Sequence, residues 1–319
     1  MVKITTTRYW KKLLFKKGDI NTMFYKNIPD TLYHYCSIPT FFSIVNSKSL
    51  WLCNGLNMND EYDSRYFEIV ASEWLQKIGS QADNADEKSF CEMCYATLLE
   101  CPIERPVPFI SSFSDNGDLL GQWIAYANKG TGVCIGFETA KLLEYSVDNP
   151  ASFLYPFNEI KNDDILLINV EYNKEEIEST IERLFSMFYE IYLKSKEKAN
   201  SLHEIAVLFS GSVFRDSALY KHDGFREEHE WRLISHCASY FSGSKQIKPG
   251  LNNIEFACIN ENIKSHVTLD LRKNWNDGLI RNIVLGPRFS GNEYDFEFFV
   301  NQNFINEIII QQSKIPYRG

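Results

Sequence analysis

No apolar run in this sequence is long enough to cross a membrane. The longest are short pieces such as "ILLI" and "IVL", far below the roughly 20 residues a spanning helix needs. The opening stretch "MVKITTTRYWKKLLFKKGDI" is basic but has no apolar segment, so it does not read as a secretory signal. The expectation is a cytoplasmic protein without membrane contact, with residues 1–30 as an N-terminal extension. Positive charge is also in deficit. Lys and Arg number 33 against 42 Asp and Glu, a formal net charge of −9. That excludes nonspecific coating of nucleic acid, so any such contact needs a local basic patch.

Several chemical signatures are missing as well. There is no GxxxxGK[ST] phosphate loop, no HExxH, no GxSxG and no evident Cys-His nucleophile pair. "GTGVCIG" (130–136) is rich in glycine, but it follows a helical pattern and leads into a strand. A dinucleotide fingerprint needs the reverse order, so that phosphate meets a helix N-terminus. "CEMC" (91–94) has Cys101 nearby but no second CxxC or His pair, so zinc is not expected. The eight cysteines read as reduced thiols, most of them in the core. No Gly/Ser/Pro-rich linker and no internal repeat divides the chain.

What is present describes an ordinary globular protein of 319 residues, 44% hydrophobic, with 23 Phe and 17 Tyr. Strand patterns fall at 32–37, 50–52, 107–114, 132–138, 165–172, 254–259, 279–286 and 306–312. Helical patterns begin near Pro39, at 58–79, 87–100, 118–130, 174–199 and about 202–219, with a short one near 293–302. The strongest is 174–199, where Ile177, Ile181, Leu184, Phe185, Phe188, Ile191 and Tyr192 form one stripe. Helices cluster and strands disperse without βαβ alternation, which predicts an α+β fold. Residues 31–319 are expected to form one domain with a helical insertion at about 174–219.

Three pieces set polar residues into strands that otherwise read as buried. They are His34 in "LYHYCS", Ser112 and Ser114 in "FISSFSD", and Glu228 and Glu230 in "FREEHEWRLI" (225–234). Read as a strand, the last places Glu228, Glu230 and Arg232 on one face and His229, Trp231 and Leu233 on the other. Two adjacent carboxylates push one of the pair toward a higher pKa. One can then stabilise a developing positive charge while the other takes a proton. Arg232 would hold one carboxylate ionised or bind a diphosphate. "NDEYD" (59–63) puts Asp60, Glu61 and Asp63 at a helix start, where acids complement the helix dipole.

The blocks "LYHYCSIPTFFSIVNSKSLWLCNGLNMNDEYDSRYF", "SFSDNGDLLGQWIAYANKGTGVCIGF", "FREEHEWRLI", "VLGPR" and "SKIPYRG" resemble a family of uncharacterised bacterial proteins. That family opens Tyr-His-Tyr-Thr and is often met in mobile or phage-defence loci. Cys36 departs from the Thr that is common there. More distantly, a His in the first strand, "SLWL" after the next helix and a late acidic strand resemble the ADP-ribosyltransferase superfamily. That resemblance implies a split β-sandwich holding NAD as substrate. It implies that His34 bonds a ribose hydroxyl and that Tyr35 frames the nicotinamide. Ser112 and Ser114 would lie on the serine-bearing strand, Glu230 would be the catalytic glutamate and Glu228 its target-facing partner.

The leading expectation is therefore transfer of ADP-ribose from NAD to a nucleic acid or protein, as a toxin or defence effector with a neutralising partner protein. Lys11, Lys12, Lys16 and Lys17 would line a nucleic-acid path. The alternatives are a metal-dependent nuclease using Asp60, Glu61, Glu228 and Glu230, and a noncatalytic sensor.

Overall fold

The computed structural model describes residues 28–57, 63–100, 104–146, 165–195, 198–241, 247–249, 254–259 and 261–318. The N-terminal lysines, Asp60, Glu61 and Cys101 lie outside these. The architecture is mixed α+β, with one large, mostly antiparallel sheet and helices on both of its faces. Strand β1 (Thr31–Cys36) leads into α1 (Ile38–Ser47), then β2 (Ser49–Asn54). Ser37 caps α1, its Oγ accepting from the Thr40 amide, and Pro39 lies in the first turn. Helices α2 (Tyr66–Gln81) and α3 (Ala85–Glu100) precede β3 (Glu104–Ser114). Next come α4 (Leu120–Ala125), β4 (Val133–Glu138), α5 (Thr139–Leu143) and β5 (Ile165–Asn169).

A helical hairpin, α6 (Lys174–Lys194) and α7 (Lys198–Asp216), follows where two helical patterns were expected. Its base is closed by a bridge between Glu171 and Tyr220. The Lys221 amide donates to Glu171 O at 3.1 Å, which fixes where the chain leaves the hairpin. The long strand β6 (Glu230–Phe241) then pairs with both β3 and β5. After it come β7 (Ile247–Pro249), β8 (Ile254–Ile259), β9 (Asn262–Asp270), β10 (Ile280–Leu285), α8 (Glu293–Asn303) and β11 (Ile309–Gln312). Strand β9, between β2 and β8, was not expected. Its alternation carries Lys264 and His266 where a buried strand would carry apolar residues.

Two cores flank the sheet. On one face α2, α3, α6 and α7 cover Ile110, Leu166, Ile168 and Ile234. Ile177, Ile181, Phe185, Phe188 and Tyr192 of α6 are buried there, each contributing about 1.5–3 kcal/mol of transfer free energy. On the other face α1 and α8 cover Leu32, Phe113, Trp231 and Leu233. Cys91 and Cys94 belong to the first core, and burial pushes the Cys91 thiol up to about 12, as for a packing residue.

"GTGVCIG" serves strand approach. Gly132 stands where β4 enters between β1 and β10, and a Cβ there would collide with the Cys36 and Ala127 carbonyl oxygens. Gly132→Ala should cost about 1–3 kcal/mol of stability, read as a lowered urea midpoint. An unchanged midpoint would contradict this packing.

Candidate functional site

Strands β1 and β3 share one register pair, Tyr33↔Ser114, and β3 continues along β6 through Ser114↔Glu230, Phe113↔Trp231 and Ser112↔Arg232. Directly opposed residues point to the same face. Tyr33, Ser114 and Glu230 thus share one face with Ser112 and Arg232. Phe113 and Trp231 point into the opposite core, and so, by alternation from Tyr33, does the His34 position. Both faces of β6 are covered, with residues 230–235 all buried. The charged start of this strand is therefore buried on both faces.

Buried charge must be paired to persist, and here it is. Arg232, fully buried, donates from Nε to Glu230 Oε1 and from Nη2 to Glu230 Oε2, both at 2.9 Å. Nη2 also donates to Asp63 Oδ1 at 2.6 Å, and Nη1 to Ala218 O at 2.9 Å. Lys221, equally buried, donates to Glu228 Oε2 at 2.5 Å and Glu230 Oε2 at 3.3 Å, and its ammonium is 3.9 Å from Asp63 Oδ2. Three carboxylates thus enclose two cations.

Glu228 is not on the strand. It ends a 3₁₀ helix, Asp223–Glu228, and His229 follows with φ 50°, a left-handed turn that starts β6 at Glu230. This corrects the single-strand reading of "FREEHEWRLI". The left-handed residue removes the two-residue alternation, so Glu228 reaches the cluster from a separate element. Ser114 Oγ donates to Glu228 O at 2.9 Å and ties that turn to β3. The Glu228 side chain is 20% exposed against 6% for Glu230, and the Tyr126 hydroxyl donates to its Oε1 at 3.3 Å.

The two carboxylates are shifted in opposite directions. Burial pushes Glu228 up, more than the Lys221 charge draws it down. Burial also opposes ionisation of Glu230, but Arg232 and Lys221 outweigh it and hold that carboxyl down at about 2. A carboxyl depressed in the folded state stabilises it above the unfolded value, about 4.5, and this is lost as pH falls toward about 2. Glu228 has the opposite sign, and its effect falls above about 4.5, outside that window. Glu230→Gln should flatten the pH dependence of the urea midpoint between about pH 4.5 and pH 2. An unchanged slope would show that Glu230 is not held ionised.

Ser112 Oγ lies near enough to favour ionised Glu230 but has no hydrogen-bond partner of ordinary geometry. His34 turns into the gap between β1 and β3, where its Nδ1–H donates to Ser112 O at 2.9 Å. Burial lowers its pKa, so the ring is neutral with Nε2 as an acceptor. Tyr35 packs edge-on against Trp123, and its hydroxyl donates to Asn116 O and accepts from the Leu119 amide. Its polar group is thereby committed to a loop. The structure brings together Glu228, Glu230, Arg232, Ser112 and Ser114, places His34 at the edge of the group and leaves Tyr35 outside it.

Sequence reasoning missed Lys221 and the burial of Asp63. Asp63 lies in a 3₁₀ turn (Asp63–Arg65) ahead of α2 rather than within a helix beginning at residue 58. Its burial behind Arg232 has no local signal. Lys221 follows the apolar "SALY", and an ammonium directly after a buried run was the available hint.

A family model described as protein of unknown function (DUF2971) matches residues 122–233. Lys221, Glu228, Glu230 and Arg232 fall within that match, while His34, Asp63 and the β3 serines precede it. No curated protein and no solved structure matches the chain. Among the described residues no helix is long and apolar enough to cross a membrane.

Proposed function

We propose that this protein transfers ADP-ribose from NAD to a macromolecular acceptor, with Glu228 and Glu230 as the working carboxylates. The observation that carries the reading is a pair of carboxylates two residues apart in sequence and joined by one ammonium, with Glu230 also bound by a guanidinium, so that their pKa values move apart. Such a split assigns roles: one group stays ionised while the other exchanges protons. When the nicotinamide–ribose bond breaks, nicotinamide leaves as a neutral molecule with the bonding electron pair, and positive charge builds on the ribose. Glu230, held ionised on the first residue of β6, stabilises that charge. The acceptor atom bonds to C1′ and its proton passes to Glu228.

The residues present fit a ribose. Ser112 Oγ is a buried hydroxyl beside Glu230 with no hydrogen bond of ordinary geometry, and Glu230 Oε1 accepts from Arg232 Nε. Both are groups that a ribose hydroxyl satisfies. The parting of β1 from β3 after one register pair supports a split sandwich as the finer description of the fold. A role as toxin or phage-defence effector, with a neutralising partner protein, rests on the family resemblance alone. The nuclease reading has less support, because Lys221 and Arg232 already pair with Glu228 and Glu230, two of the four carboxylates it would use.

The test is purified protein with labelled NAD and cell extract, reading nicotinamide release and label in macromolecules. Wild type should do both. Glu228→Gln should lose transfer by about 100-fold and lose the acid limb of the pH–rate profile, which burial of Glu228 moves upward. Neither release nor transfer by wild type would overturn the proposal.

A further inference from the structure

A cavity of about 500 Å³ opens beside the charged cluster, between the start of α2, the start of α6 and the 3₁₀ helix at 223–228. That volume is in the range of small-ligand sites. Tyr66, His222 and Phe225 line it with rings, and Ile69 and Val70 with apolar surface. Tyr66 and His222 meet edge to face, 5.3 Å between centroids. Glu73 and Lys174, paired at 3.1 Å, supply an acceptor and a donor. His222 Nδ1 accepts from the Gly224 amide at 3.0 Å, so the ring proton is on Nε2, a second donor.

The cavity is tied to the proposed chemistry. Residues three apart eclipse on a 3₁₀ helix, so Phe225 and Glu228 share one side of theirs. Lys221 Nζ lies 4.6 Å from the Phe225 ring centroid and 2.5 Å from Glu228 Oε2. A group seated against Phe225 is thus one short turn from Glu228.

We propose that this cavity binds a nucleobase, the part of the acceptor presented to Glu228. A base has flat apolar faces for the rings and a polar edge for Glu73, Lys174 and His222. Lys174 is the one Lys or Arg of the lining and sits beside Glu73, while three rings offer flat faces, so recognition falls on the base rather than on phosphate. The role as acceptor site rests on the ADP-ribosyl transfer reading; base binding does not.

The experiment is therefore binding without NAD. Mononucleotides of the four bases and short single-stranded RNA and DNA are titrated calorimetrically against wild type, Tyr66→Ala, Phe225→Ala and Phe225→Leu. Phe225→Leu keeps apolar bulk but removes the ring. Tyr294→Ala, exposed on α8, is the control. Wild type should bind at least one class of probe. Each cavity variant that keeps the wild-type urea midpoint should bind about 10-fold more weakly, the scale of one lost base stack, with the control unchanged. Strands binding more tightly than mononucleotides would identify a nucleic-acid acceptor, and equal binding a free nucleotide; either supports the site. No binding by wild type, or undiminished binding by folded Phe225→Leu and Tyr66→Ala, would overturn it. Nicotinamide release without base binding would remove this proposal and leave the transferase reading standing.

Discussion

Arg232→Ala should cost about 3–5 kcal/mol of stability, the range for breaking a buried ion pair by removing one partner. Arg232 is 0% exposed and binds two carboxylates and the Ala218 carbonyl. Without it, Glu230 and Asp63 remain buried with Lys221 as their cation. Arg232→Lys should restore little, because an ammonium cannot reproduce a planar fork to two carboxylates. Combining Arg232→Met with Glu230→Gln and Asp63→Asn should recover much of the loss, since the charges that needed pairing are gone. Urea denaturation reads all of these. An Arg232→Ala protein within about 1 kcal/mol of wild type would mean that water reaches the cluster and the charges are not buried.

The second large effect concerns activity. Glu230→Gln should reduce NAD-dependent transfer by about 10²–10³-fold, the scale of removing one preorganised electrostatic contact to a transition state. The substitution keeps the shape and removes the charge. It also disturbs the ion cluster, so Asp63→Asn is the comparison. Asp63 binds the same guanidinium and faces the same ammonium, but in the proposed mechanism it does not touch the ribose. Asp63→Asn should lower stability while leaving turnover within about tenfold of wild type. Equal loss in the two variants would make the cluster a structural device and remove Glu230 from the chemistry.

The α+β class was legible because apolar periodicity is local. The stripe on α6, the helix start near Pro39 and the strands at β1, β4 and β10 each announce themselves within about ten residues. The candidate site was legible only where its residues sit in strands read as buried. Glu230, Arg232, Ser112 and Ser114 stood out because polar groups interrupt apolar runs, and they share a face of two paired strands. His229 misled the strand reading, because a left-handed turn at a non-glycine residue leaves no mark on an alternating pattern. Tyr35 misled in another way: the loop that consumes its hydroxyl lies more than 80 residues away.

The sequence by itself determined most of the elements, the balance of charge and the presence of two carboxylates two residues apart. Tertiary structure decided that their pKa values move in opposite directions. Glu228 and Glu230 are chemically the same residue. They differ because Arg232 and Lys221 together outweigh burial at Glu230, while at Glu228, on the preceding 3₁₀ turn, burial outweighs the Lys221 charge. Lys221 joins them only because the α6–α7 hairpin returns the chain to Glu171 before residue 221. Asp63, more than 150 residues earlier, completes the set. Burial and distance set those energies, and both belong to the folded chain.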